Sequence, residues 1–170
     1  MPNQYRRRNS LRYPGYDYAQ PGAVFVTIET AARQRLFGTV VEGRMLHSPA
    51  GTMAISRWQT IQDRFPAVET DTFVVMPDHV HGIVFLGTDA DEAALRTTVG
   101  DVVRWFKTSV YAAYGTRVRE EGWPPYDGQL WHRDYYDRIV RNGAELAAIR
   151  AYIEGNPGRW WERHGDESQA

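Results

Sequence analysis

The chain has 170 residues, 42% of them apolar and 13% aromatic, enough to fold as one domain around a sizeable core. It has no cysteine, which excludes disulfides, zinc–thiolate centres and thiol nucleophiles. There is no apolar run of membrane-spanning length and no signal-peptide pattern at the N-terminus, so a cytoplasmic location is expected. The net charge of −1 is unevenly spread: residues 1–64 carry nine Arg against four acids, residues 65–170 eleven basic residues against seventeen. All basic residues but Lys107 are Arg, which grips phosphate bidentately.

In chain order, residues 1–22 are polar, basic and interrupted by Pro14, Gly15, Pro21 and Gly22, the pattern of an extended arm. Ala23 to Glu29 alternates, with Val24, Val26 and Ile28 on one face, and predicts a strand. Leu36 to Leu46 folds about Glu42-Gly43 as a small hairpin. A helix follows over about Gly51 to Arg64, with Ile55, Trp58, Ile61 and Phe65 as its apolar stripe. Thr72 to Val75 and Val80 to Leu86 predict two strands joined at Met76-Pro77-Asp78.

A second helix is expected from Ala93 to about Tyr114, burying Val99, Val103, Phe106 and Val110. Leu130 to Val140 is aromatic and strand-like, and includes the dyad Tyr135-Tyr136, read as structural. The last helix opens at Asn142, with Glu145 completing a capping box, carries Leu146, Ile149 and Ile153 inward, and is stopped by Gly155-Asn156-Pro157. Residues 164–170 are expected to be a frayed tail after a single domain over 23–163. The order βαββαβ, with the extra hairpin and terminal helix, is that of an α+β ferredoxin-like sandwich: an antiparallel sheet with helices on one face.

The sharpest chemical feature is His79-Val80-His81. Residues i and i+2 of a strand share a face, so both imidazoles project together and can take adjacent positions on one metal ion. Gly82 beside them leaves room for a ligand or another backbone. The spacing alone fits equally two histidines at a hairpin turn. Tyr152 and Asn156 lie four apart near the end of the last helix. A tyrosine hydroxyl can attack phosphorus, but Tyr152 also flanks an apolar stripe and reads as well as a boundary aromatic. His47 and His132 have no partner at ligand spacing, and Glu69, Asp71 and Asp78 read as solvated turn carboxylates.

The run Val75-Met76-Pro77-Asp78-His79-Val80-His81 resembles the HUH motif of single-tyrosine transposases. Tyr5-Arg6-Arg7-Arg8, Leu130 to Asn142 and the run from Ile149 to Pro157 resemble the REP-associated members, and the likeness spans about residues 5 to 161. It implies His79, His81 and Asn156 as ligands of a divalent ion, Mg²⁺ or Mn²⁺, with Asn where relatives often carry Gln. It implies Tyr152 as the nucleophile that cleaves single-stranded DNA and holds it as a 5′-phosphotyrosine. His132 and Arg138 depart from the family pattern, standing where many members have Gln and His. The implied partner is single-stranded or hairpin DNA, bound by a monomer or homodimer. Arg6, Arg7, Arg8, Arg12, Arg104 and Lys107 are the candidate phosphate contacts. The competing expectations are a non-catalytic nucleic-acid module on the same sheet, or a phosphodiesterase with no covalent intermediate.

Overall fold

In the computed structural model, residues 6–7, 22–87 and 97–165 are described, the first pair by backbone alone. Most of the expected basic arm, including Arg8 and Arg12, lies outside the described residues. Arg6–Arg7 form a short strand, β1. The remaining strands are β2 (Gly22–Glu29), β3 (Gly38–Val41), β4 (Arg44–His47), β5 (Val68–Val75), β6 (His79–Leu86) and β7 (Tyr136–Ile139). The helices are α1 (Pro49–Gln59), α2 (Ile61–Arg64), α3 (Val99–Glu121), α4 (Gly143–Glu154) and α5 (Asn156–His164).

The main sheet runs β1-β7-β2-β6-β5, with every neighbouring pair antiparallel, and β3-β4 form a separate hairpin. β2, α1, β5, β6, α3 and β7 make the ferredoxin-like core. Alternation along the strands sorts the side chains. Val24, Val26, Ile28, Val80 and Val84 point to one face, where Trp58 of α1 and Val102, Val103, Phe106 and Val110 of α3 cover them. Phe25 and Ile83 point to the other, against Ile149 and Ile153 of α4. The two sandwich helices thus share a face, and the C-terminal helix takes the opposite one.

Several boundaries moved for identifiable reasons. The first helix begins at Pro49, where Ser48 Oγ accepts from the Gly51 amide at 3.1 Å, and it breaks at Thr60. The second begins at Val99, because Thr98 and Asp101 form a reciprocal capping box. Only Tyr136–Ile139 of the expected Leu130–Val140 strand joins the sheet. Ahead of it, Lys107 Nζ donates to the carbonyls of His132 and Asp134 at 2.8 and 3.2 Å, and Trp131 Nε1 donates to Lys107 O. The backbone keeps one antiparallel bridge here, Ala31 N donating to Leu130 O and His132 N to Glu29 O, and the side-chain bonds hold the rest while Leu130, Trp131 and Tyr135 enter the core.

Asn142 caps α4 as expected, its Oδ1 accepting from Glu145 N at 2.9 Å. Glu145, however, turns to Arg141 N and the Arg138 guanidinium instead of closing a capping box, which gives Arg138 a packing role. Pro157 does not end the helical path. It sits in the first turn of α5, where a missing N–H costs nothing, and helix continues to His164. Of the expected tail, His164 belongs to this helix, and residues 166–170 lie outside the described residues.

Candidate active site

Strand β6 brings both imidazoles to the sheet face covered by α4 and α5. Their ring centroids lie 4.5 Å apart, and both are buried. The turn ahead of them is pinned: Thr30 N and Oγ1 both donate to Asp78 O, Phe37 N donates to Pro77 O, and Met76 N donates to His79 O. His79 is thus fixed from its backbone outward.

Each ring is also oriented through Nδ1. His79 Nδ1 lies 2.6 Å from Asp78 Oδ1, and Asp78 is in turn held by Arg33 Nε at 3.1 Å. Asp78 is buried, so the expectation of a solvated turn carboxylate is corrected. His81 Nδ1 lies 2.8 Å from Thr27 Oγ1. With Nδ1 as the donor in both pairs, each Nε2 keeps a free lone pair. Burial, together with the neighbouring His79, Arg33 and Arg159, holds the His81 pKa well below the usual histidine range. It is therefore neutral at pH 7, the state that ligates metal.

From the other side, α4 and α5 deliver Tyr152 and Asn156. Tyr152 packs edge-on to His81 with centroids 5.5 Å apart and to Phe25 at 6.1 Å, and remains 37% exposed. Asn156 is 1% exposed, and its Oδ1 has no hydrogen-bond partner among the described residues. A buried amide oxygen left without a donor is costly unless something satisfies it. All four residues line one cleft of about 280 Å³ within a single chain.

The donor set fits a divalent ion: two imidazoles whose outer nitrogens are engaged, and an orphaned carbonyl oxygen on a residue that lines the same cleft. Among the described residues no group of three His, Cys, Asp or Glu offers an alternative centre.

The remaining expected residues lie elsewhere. Lys107 is committed to the carbonyls of the 132–134 segment, and Arg104 pairs with Asp101 at 2.9 Å on the surface of α3, which covers the face away from the histidines. His47 Nε2 donates to Val75 O, and His132 Nδ1 accepts from Asp134 N. Glu69 is exposed, and Asp71 pairs with Arg150. Gly82 makes room for Trp58 on the opposite face, not for a ligand: a Cβ there would lie 2.2 Å from the indole.

The cleft also contains Tyr136, expected to be structural, and Thr27, Glu29, Arg33, Trp160, Arg163 and His164, to which the residue pattern assigned no site role. Thr27 and Glu29 were accessible from alternation, since Val24, Val26 and Ile28 occupy the other face of β2. Trp160 and His164 follow Asn156 at i+4 and i+8, a helical face hidden by the assumption that Pro157 ends the helix.

No protein-family model matches the chain. An uncharacterized protein of Haemophilus influenzae is 30% identical over 168 residues, covering 90% of this chain and 89% of that one. The solved structure of a REP-associated tyrosine transposase bound to a REP hairpin aligns with a TM-score of 0.61 at 19% identity, covering 87% of this chain and 73% of that one. Among the described residues no helix is long and apolar enough to cross a membrane. The chain belongs to one family with the Haemophilus influenzae protein, and its fold is that of a REP-associated tyrosine transposase.

Proposed function

We propose that this protein is a divalent-metal-dependent enzyme that nicks and rejoins single-stranded DNA through a 5′-phosphotyrosine on Tyr152, with a role in DNA transposition or repeat processing. The observation that carries this reading is the convergence, within one chain, of paired imidazoles, an unsatisfied buried amide oxygen and a partly exposed phenol.

His79, His81 and Asn156 would hold the ion, Mg²⁺ or Mn²⁺. Bound there, it would polarise the scissile phosphate. Tyr152 Oη forms a bond to phosphorus as the bond to the 3′-oxygen breaks, and the phenol proton passes to water. The departing oxygen takes a proton from water and leaves as a free 3′-hydroxyl. The phosphotyrosine keeps the energy of the phosphodiester, so a second 3′-hydroxyl can attack it and join strands. Arg33 and Arg163 at the cleft, with Arg6, Arg7, Arg8 and Arg12 of the arm, are suited to the DNA backbone. A REP hairpin is the DNA bound by the fold relative, and hairpin-forming single strands are the substrate to try first.

The test is incubation with labelled single-stranded hairpin DNA and Mn²⁺, reading covalent adduct on a denaturing gel. Tyr152→Phe should form none. His79→Ala should cut on the order of 10²-fold more slowly, as when an electrostatic stabiliser is lost. Adduct from Tyr152→Phe at the wild-type rate overturns the nucleophile. Cleavage without any trapped adduct points to a hydrolytic phosphodiesterase, and chelator-insensitive binding without cleavage to a binding module.

A further inference from the structure

We infer that Arg159 positions the Tyr152 phenol for attack by lying back across the α4–α5 junction as a clamp, an inference that rests on the nicking activity proposed above. The phenol needs such a device. The residue is more than a third exposed, and its ring packs edge-to-face with those of His81 and Phe25. A tyrosine so placed has rotational freedom about its side-chain bonds, and attack on phosphorus tolerates little of it.

Arg159 touches Tyr152 twice. Its guanidinium carbon lies 4.3 Å from the centre of the phenol ring, over its face, and Nη2 donates to the Tyr152 carbonyl oxygen. One planar group thus bonds the backbone and covers the side chain of the same residue, which fixes the ring relative to its own helix. The junction is shaped to allow it. Arg159 N donates to Gly155 O at 3.2 Å, so the chain stays helical across the bend, and Gly155 leaves the space that the guanidinium crosses. A Cβ at Gly155 would stand 2.7 Å from Arg159 Nη1. Gly155 has ordinary right-handed backbone angles, so its missing side chain is explained by this approach, and by the Ala151 carbonyl oxygen 3.2 Å from the same Cβ position, and not by a turn. Arg159 meets Tyr152 and is not among the residues that line the cleft, and is therefore a positioning residue.

The experiment measures single-turnover cleavage of the hairpin substrate at saturating DNA, alongside the DNA dissociation constant, in the full chain. Arg159→Ala should lower the cleavage rate by roughly tenfold to 10²-fold, the scale of a misplaced reacting group, with DNA affinity retained. Arg159→Lys should fall between, because a point charge cannot cover the ring and reach the carbonyl together. Gly155→Ala should lower the rate in the same direction while keeping the guanidinium. Alanine favours helix, so fraying would not account for that loss. A wild-type rate from Arg159→Ala at saturating DNA overturns the inference, as does a defect confined to affinity. These outcomes differ from failure of the underlying activity, in which the wild-type chain forms no adduct or Tyr152→Phe still does; that result removes the inference as well.

Discussion

Thr27 illustrates how a single uncharged residue can set the chemistry of a site. Its hydroxyl is the partner of His81 Nδ1 and decides which ring nitrogen is left for a metal. Thr27→Val keeps the shape and removes the bond, so metal affinity should fall by roughly 10–100-fold, read by calorimetric titration of Mn²⁺. Unchanged affinity would mean that burial alone orients the ring. Gly82 teaches the opposite lesson, for it stands beside the site in sequence and serves the core in space. Gly82→Ala forces a methyl into Trp58, and overpacking of this kind costs about 1–3 kcal/mol. Urea unfolding should show a lower midpoint with an unchanged slope.

At the scale of elements, the question is what keeps the tyrosine helix on the sheet. The apolar contact is Ile149 and Ile153 against Ala23, Phe25 and Ile83, with Val74, Phe85, Val140 and Leu146 packed around them. A polar anchor supplements it. Between Thr70 and Phe73, strand β5 bulges, so that Asp71 and Thr72 together stand opposite Ile83, on the side facing α4. Asp71 there receives Arg150 Nε at 2.8 Å and Nη2 at 2.6 Å, a bidentate pair two residues before Tyr152. The Arg150 hydrogen bond, joined by those of Thr72, outweighs burial and holds the Asp71 carboxyl far below the usual carboxylate range. A pKa depressed in the folded state means stability that is present above the ordinary carboxylate value of about 3.9 and lost as pH falls below it. The melting-temperature gap between wild type and Asp71→Asn should accordingly be open at pH 7, start to narrow only once pH falls below ~4, and go on narrowing as acidification approaches the lower folded value. Asp71→Asn should also slow cleavage, by roughly tenfold if the helix shifts by a fraction of an ångström. Exchanging the charges, with Asp71→Arg and Arg150→Asp together, should recover part of it.

For the whole molecule, the proposed ligands join the two ends of the fold. His79 and His81 come from a central strand, Asn156 from the last helix, and an ion between them would staple that helix to the sheet. Binding to the folded state alone stabilises it by about 2.7 kcal/mol at a hundredfold excess of ion over its dissociation constant. For a chain of this size that is a rise in melting temperature of roughly 5–11 °C. Scanning calorimetry with and without Mn²⁺ should show the rise, EDTA should abolish it, and Asn156→Ala should reduce it. No shift in the wild-type protein would remove the ion from the site.

How much of this was legible beforehand follows from range. Alternation in Ala23–Glu29 and Val80–Leu86, the helical stripe from Val99 to Val110 and the Asn142 cap are local signals, and these elements appear in the structure. The same locality placed His79 with His81 and Tyr152 near Asn156, because strand and helix periods act within a few residues. The sequence misled where a long-range partner settled the outcome. Lys107 takes the carbonyls of His132 and Asp134 that a longer ladder would use, Trp58 claims the space at Gly82, and Asp78 is buried under Arg33. The continuation past Pro157 was local, but it depended on whether that proline stood inside or after a helix. Residue pattern by itself determined the elements and the two halves of the candidate site. Only packing of α4 against the Phe25–Ile83 face, and of α5 through Trp160 against Val40 and Met76, brought those halves together, because burial of Ile149 and Ile153 is a contact between segments more than sixty residues apart, and no local period records it.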